Sequence, residues 1–232
     1  MPDEGGRVRR HPVFYYCILK MIYNISIGME VSYMDNEMEY GAEVCSLCGE
    51  RLTEFGNKKL KDGILCRNCV KLASSWLTDK DFEGRTVEDI RKHLEYRKAN
   101  LEKLDGFLTD KKVEGKYSLY IDEHASQFVF SKRKDLKKEN ADVIPFSAIK
   151  EISIMEADYL DEDSADLYFE MLLDHEEIPM IRFRVNEFPG LDRQSEEFKK
   201  TDELAMAYLD TLAEEENIKV EEVSDLQEVQ DE

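Results

Sequence analysis

Two cysteine pairs carry the clearest chemistry in this chain: Cys45-Ser46-Leu47-Cys48 and Cys66-Arg67-Asn68-Cys69, separated by 17 residues. That spacing predicts a four-thiolate zinc site. Thiolates suit a borderline-soft cation that accepts a tetrahedron of sulfurs. Four protein ligands close the coordination shell and leave no position for a reactive water, so the site reads as structural and not catalytic.

The neighbouring residues agree. Gly49 follows the first pair, where a tight knuckle often needs positive φ. Asp62-Gly63 stands between Lys59-Leu60-Lys61 and Ile64-Leu65-Cys66, which predicts a hairpin. The second pair leads into Val70, Leu72, Ala73, Trp76 and Leu77, which suit one face of a short helix. Knuckle, hairpin and a pair at a helix start make a treble-clef-like arrangement. A redox pair and two disulfides are the competing readings. A redox C-x-x-C should sit in a βαβ unit, and no such unit is visible. Disulfides need an oxidising compartment, and no clean export segment precedes them.

The run Cys45-x-x-Cys48-Gly49, the tract Gly56-Asn57-Lys58-Lys59-Leu60-Lys61-Asp62-Gly63 and the pair Cys66-x-x-Cys69 resemble a bacterial zinc-ribbon-like family, the domain of unknown function DUF4428. Thr86-Val87-Glu88-Asp89-Ile90 resembles the stretch after the cysteines in such proteins. The resemblance spans roughly residues 43–105. It implies zinc bound by Cys45, Cys48, Cys66 and Cys69, and it implies no activity.

The elements that must hold these ligands come from the rest of the chain. Its 232 residues suffice for one medium domain or two small ones. Hydrophobic residues make up 42% and charged residues 36%, a globular but charge-rich composition. The net charge of −20 is uneven. Residues 1–150 carry 26 basic and 25 acidic side chains, and residues 151–232 carry 6 and 27. The C-terminal part should therefore repel nucleic acid and anionic membrane at long range.

Taken in order, residues 1–40 read as a poorly ordered N-terminal extension. Arg7, Arg9 and Arg10 precede an apolar run, Val13 to Leu19, but Lys20 interrupts it and it is too short to span a bilayer. The fifth cysteine, Cys17, reads there as a small hydrophobe. Residues 41–78 form the four-cysteine zinc module, and 79–115 a connecting helix with a polar link from Asp79 to Arg85. Thr86 is its expected N-cap, with Asp89 at the reciprocal position. The expected seam runs Val87, Ile90, Leu94, Arg97, Leu101, Leu104 and Leu108, a helix lying on its own protein or a marginal coiled coil. His93 lies off this seam and reads as a solvated surface histidine.

From Lys116 the period changes to two. Tyr117, Leu119 and Ile121 alternate, as do Phe128 and Phe130, with Asp122 to Ser126 as a turn. Further strands are expected at Ile152 and Ile154, at Leu167 to Leu173 and at Ile181 to Val185. A helix comes next, with Phe198, Leu204, Ala205, Tyr208, Leu209 and Leu212 on one side. Residues 116–216 thus form an antiparallel β domain closed by a C-terminal helix, a pattern that resembles the pleckstrin-homology-like superfold without any shared motif. Residues 217–232 are acidic and read as a disordered tail. The fold class is α+β.

Other constellations are weaker. Lys132, Arg133, Lys134, Lys137 and Lys138 lie between two strands and could hold lipid phosphates by charge-assisted contacts. The alternative is a solvated loop. The zinc module carries Arg51, Lys58, Lys59, Lys61, Arg67 and Lys71 against four acidic residues. With the −2 of a zinc tetrathiolate its sum is zero, which is not a nucleic-acid footprint. His11, His93, His124 and His175 show no metalloprotease spacing, and no nucleophile elbow or phosphate loop occurs. Asp158, Asp161, Glu162, Asp163 and Asp166 lack the pattern of a calcium loop and read as a charged turn.

The expectation is a cytoplasmic, non-enzymatic, zinc-stabilised binding or scaffold protein whose partner is a protein or peptide. A membrane-peripheral or nucleic-acid-binding regulator is the alternative, and a small hydrolase comes third.

Overall fold

This computed structural model describes residues 44–159 and 161–215. The N-terminal extension, Cys17 and the acidic tail lie outside the described residues. None of the described helices is long and apolar enough to cross a membrane.

The cysteine module opens with a turn over Cys45–Cys48 and a short hairpin, β1 (Lys58–Lys59) against β2 (Ile64–Leu65). The Leu60 N–H donates to the Gly63 carbonyl at 2.8 Å, so Lys61 and Asp62 make the reversal. The hairpin is where the sequence put it, with its tip one residue earlier. Helix α1 (Arg67–Val70) is a single turn, so the apolar residues beyond it are not one helical face. Trp76 instead joins the core of the β domain.

The expected polar link is itself a helical turn, α2 (Asp79–Glu83), with a complete capping box between Thr78 and Asp81. The main connector is α3 (Val87–Gly106), and its Thr86–Asp89 capping box is formed as expected. It ends earlier than predicted. Gly106 is its last residue, Leu108 is 61% exposed, and a strand, β3 (Lys111–Val113), takes up the remainder.

The buried stripe of α3 keeps Ile90, Arg97 and Leu104 of the expected seam but takes His93 and Asn100 in place of Leu94 and Leu101. It runs Ile90, His93, Arg97, Asn100 and Leu104, in alternating steps of three and four. His93 is fully buried, which overturns its reading as a surface residue, and Arg97 is 6% exposed. Three polar groups in the middle of such a stripe need partners on the facing surface, because an unpaired buried polar group costs about 1–3 kcal/mol. Ser74, Asp142, Asn140 and Glu177 supply them.

The β domain contains two antiparallel sheets and a helix. The first has the order β3, β4 (Ser118–Asp122), β5 (Gln127–Ser131), β6 (Ile144–Pro145). A short helix, α4 (Leu136–Glu139), lies between β5 and β6. The second sheet is built on β7 (Ile149–Tyr159) and β8 (Asp161–Leu173), with β9 (Met180–Arg184) and β10 (Leu191–Asp192) both pairing β8. Pairing continues to Tyr159 and Asp161, so Asp158, Asp161, Glu162, Asp163 and Asp166 lie in strands and not in a charged turn. Helix α5 (Glu196–Glu215) closes the domain. Ala205, Tyr208, Leu209 and Leu212 are its buried face, as the period predicts. An aromatic cluster of Phe130, Phe169, Phe183 and Tyr208 fills the space between the sheets and α5, with ring centroids 5.2–5.9 Å apart.

Candidate metal centre and its support

The four cysteine sulfurs lie within 4.8 Å of one another. Cys45 Sγ is 3.7 Å from Cys69 Sγ, and Cys48 Sγ is 3.7 Å from Cys66 Sγ. Four sulfurs at about 2.3 Å from a central zinc-sized ion would have edges of about 3.8 Å. The donor set and its spacing therefore fit a tetrahedral metal ion held by Cys45, Cys48, Cys66 and Cys69.

The backbone prepares the site from both sides. Gly49, at φ +72°, closes the first knuckle and donates to the Cys45 carbonyl at 2.8 Å. The Cys66 N–H donates to Cys45 Sγ at 3.2 Å. The two knuckles are tied through Ser46, whose N–H donates to the Ile64 carbonyl at 2.9 Å and whose Oγ accepts from the Ile64 N–H at 3.0 Å. Gly63 is needed for that approach, because a Cβ there would stand 2.4 Å from Ser46 Oγ. Such outer-shell contacts fix ligand orientation and the basicity of the sulfurs.

Cys45 is acidified, and Cys48 and Cys69 resist ionisation. The contact with Cys69 pulls Cys45 down to about 4, against burial and with help from the Cys66 N–H. Burial chiefly pushes Cys48 up to about 11, and the contact with Cys45 drives Cys69 far above the ordinary thiol range. Thiols this close cannot all become thiolates on their own. A divalent cation bound there would supply the missing charge and let all four ionise.

The module is anchored by polar contacts along α3. Asp62 Oδ1, at the hairpin tip, accepts the Val87 N–H at the start of α3 at 2.8 Å. Glu177, between β8 and β9, accepts from Arg85 Nη1 at 2.9 Å and meets His93 Nδ1 at 2.8 Å. His93 Nε2 accepts the Ser74 N–H at 3.0 Å, which places the ring proton on Nδ1. Asp142, 2% exposed, accepts from Ser74 Oγ at 2.7 Å, from Tyr96 at 3.2 Å and from Arg97 Nη1. Asn100 bonds Asn140 at 2.9 Å and the Ala141 carbonyl at 2.7 Å, and accepts the Val143 N–H at 2.9 Å. Sequence reasoning missed this network. Its one trace was the three-and-four spacing of His93, Arg97 and Asn100.

The basic loop does not converge on one point. Lys132 lies over the Tyr117 ring at 4.6 Å, and Lys137 pairs with Asp105 at 2.7 Å. Lys134 and Lys137 border an open groove of about 460 Å³ with Leu104, Phe107 and Leu136. Arg133 and Lys138 are exposed, and the Lys138 N–H is taken by Asp135 as the cap of α4.

Residues 43–93 match the family model described as Domain of unknown function (DUF4428). The match holds all four cysteines and stops inside α3. No curated protein and no solved structure matches the chain. These comparisons do not confirm the expected likeness of residues 116–216 to the pleckstrin-homology-like superfold.

Proposed function

We propose that this chain is a zinc-stabilised, non-enzymatic binding module whose partner is a protein or peptide. The observation that carries the reading is the cluster of four sulfurs within 4.8 Å. A soft tetrahedral sulfur set suits zinc, and with every position taken by protein the ion holds a fold together. The charge balance favours a protein partner over the alternatives: the net −20 opposes approach to nucleic acid or anionic lipid, and screening confines the basic loop's attraction to about 8 Å. A thiolate site of this kind also suits a reducing, cytoplasmic compartment.

Metal analysis of the purified full chain tests the reading. One zinc per chain is expected, retained through gel filtration and lost in Cys66→Ala together with the folded module. A Cys66→Ala protein that stays folded without metal would refute it. Tight binding to anionic vesicles or nucleic acid at moderate salt, abolished by changing Lys132, Arg133 and Lys134 to Glu, would promote the membrane or nucleic-acid alternative.

A further inference from the structure

Strand β9 pairs with β8 on one side only. The bonds Leu173 N–H to Pro179 O at 2.8 Å and Val185 N–H to Leu167 O at 2.7 Å fix which residues serve that ladder. By alternation Ile181 and Phe183 face β8, and Met180, Arg182 and Arg184 turn their main-chain N–H and C=O groups to the other side. Among the described residues nothing pairs with that edge. An unpaired edge is a template for a further strand.

The edge opens onto a groove of about 370 Å³ whose far wall is the segment Ser75–Thr78, which leads away from the cysteine module. Trp76, Tyr117, Tyr168 and Phe183 supply its aromatic walls, and Arg182 and Arg184 supply its charge. Arg184 spends Nη1 on Asp166 at 3.3 Å, yet its Nε is buried without a hydrogen-bond partner, alone in this among side-chain atoms of the described residues. A donor left this way asks for an acceptor. Arg182 meets Glu170 at 3.4 Å and is 48% exposed, so it remains available. Burial first, then Arg184 and Lys132, make nearby Lys116 a weaker base than usual.

We propose that this groove takes an extended acidic peptide of a partner protein, which adds as a strand to the free edge of β9 and places carboxylates against Arg182 and Arg184. The assignment rests on the binding-module reading above and names its site. Main-chain pairing supplies affinity, and every second side chain of the peptide faces the arginine side, so acidic residues at alternate positions are selected. A single-stranded nucleic acid also suits aromatic and cationic walls. It has no use for the main-chain donors and acceptors of an open strand edge.

Trp76 is the only tryptophan in the chain, so its emission reports the groove directly. The full, metal-loaded protein is titrated with a synthetic peptide alternating glutamate with threonine and valine. The expected result is a saturable change in Trp76 emission, weakened about tenfold by Arg182→Gln and further by Arg184→Gln, and weakened by salt. The lysine counterpart should not bind. A version N-methylated at alternate residues should lose binding, because it cannot pair as a strand. Arg182→Gln serves as the variant whose fold is not at issue, with melting and metal content measured beside it. No response up to about 1 mM peptide, equal binding of the lysine peptide, or preference for oligothymidylate would each overturn the proposal. Loss of the peptide result with one zinc per chain still present would remove the groove and leave the metal-supported reading standing.

Discussion

His93 Nδ1 and Glu177 Oε2 stand 2.8 Å apart although they are 84 positions apart in sequence. The imidazole is fully buried on α3, and the carboxylate comes from the segment between β8 and β9. Their contact joins the cysteine-bearing half to the β domain. It also fixes the state of the ring. Ser74 donates to Nε2, so the imidazole is neutral with its proton on Nδ1, and a second proton would face the Ser74 N–H.

That geometry gives a pH dependence of known sign. Burial holds the His93 pKa below its ordinary value, and Glu177 only partly opposes this, while Arg85 and Arg97 add to the depression. The unfolded chain takes up a proton near about pH 6.5 and the folded chain does not until lower. Stability should be full above about pH 6.5 and decline as the pH falls below it. His175, also depressed by burial, adds in the same direction. Urea midpoints of wild type and His93→Gln, taken from neutral pH to about pH 5.5 with metal content checked, should converge toward low pH. Parallel profiles would sink this account.

Asp142 is the other junction. Ser74, Tyr96 and Arg97 all direct donors at its carboxylate. Asp142→Leu leaves a guanidinium buried and uncompensated, and should cost about 3–5 kcal/mol. Replacing both partners, as Arg97→Met with Asp142→Leu, should cost much less, because the desolvation penalty leaves with the charge. Denaturant unfolding of wild type, single and double variants is the measurement. A double variant as unstable as the single one would show that the pair itself matters little.

Chelation should be felt beyond the metal. Structural zinc contributes an apparent binding energy of about 10–16 kcal/mol in small fingers. The cysteine-bearing segment runs directly into Trp76, whose ring lies 5.3 Å from Tyr117 and 6.1 Å from Phe183. Stripping the ion from the full chain should therefore redden Trp76 emission and lower the melting temperature of the β domain. Unchanged emission after complete metal removal would show the two halves to be energetically separate.

Gly63→Ala tests the tie between the knuckles. The new Cβ would meet Ser46 Oγ at 2.4 Å and Val87 Cγ2 at 3.0 Å. A shift of the hairpin should cost about 1–3 kcal/mol and loosen the metal. Competition with a chromophoric chelator gives the second quantity; an affinity equal to wild type would place the strain elsewhere.

The clustering of Cys45, Cys48, Cys66 and Cys69 was legible because metal-binding chemistry dictates both residue type and spacing. So was the start of α3, since Thr86 and Asp89 bond only to their own local backbone and to each other. The buried face of α5 could be read because its apolar residues keep to one period. What stayed hidden depends on distant partners. His93 looks like a surface residue, and Arg97 a misplaced charge on its seam, until Glu177 and Asp142 face them, and no local pattern brings those together. The stripe Ile90–His93–Arg97–Asn100–Leu104 had the right period but the wrong polarity. Strand β3 was missed because Lys111-Lys112-Val113 offers almost no alternation, and its pairing with β4 is what makes it a strand.

Trp76 gives the cysteine module a fixed address. Its indole is 9% exposed and belongs to the core of the β domain. The segment matched by the family model, residues 43–93, contains this residue but neither Tyr117 nor Phe183. Cut out on its own, that segment would bare a large indole, strip His93 of Glu177 and end partway along α3. It is accordingly a poor graft. A host that received it would need either its own socket for the indole or a polar residue at position 76. Natural relatives that carry the cysteines on a different body should differ at this position first.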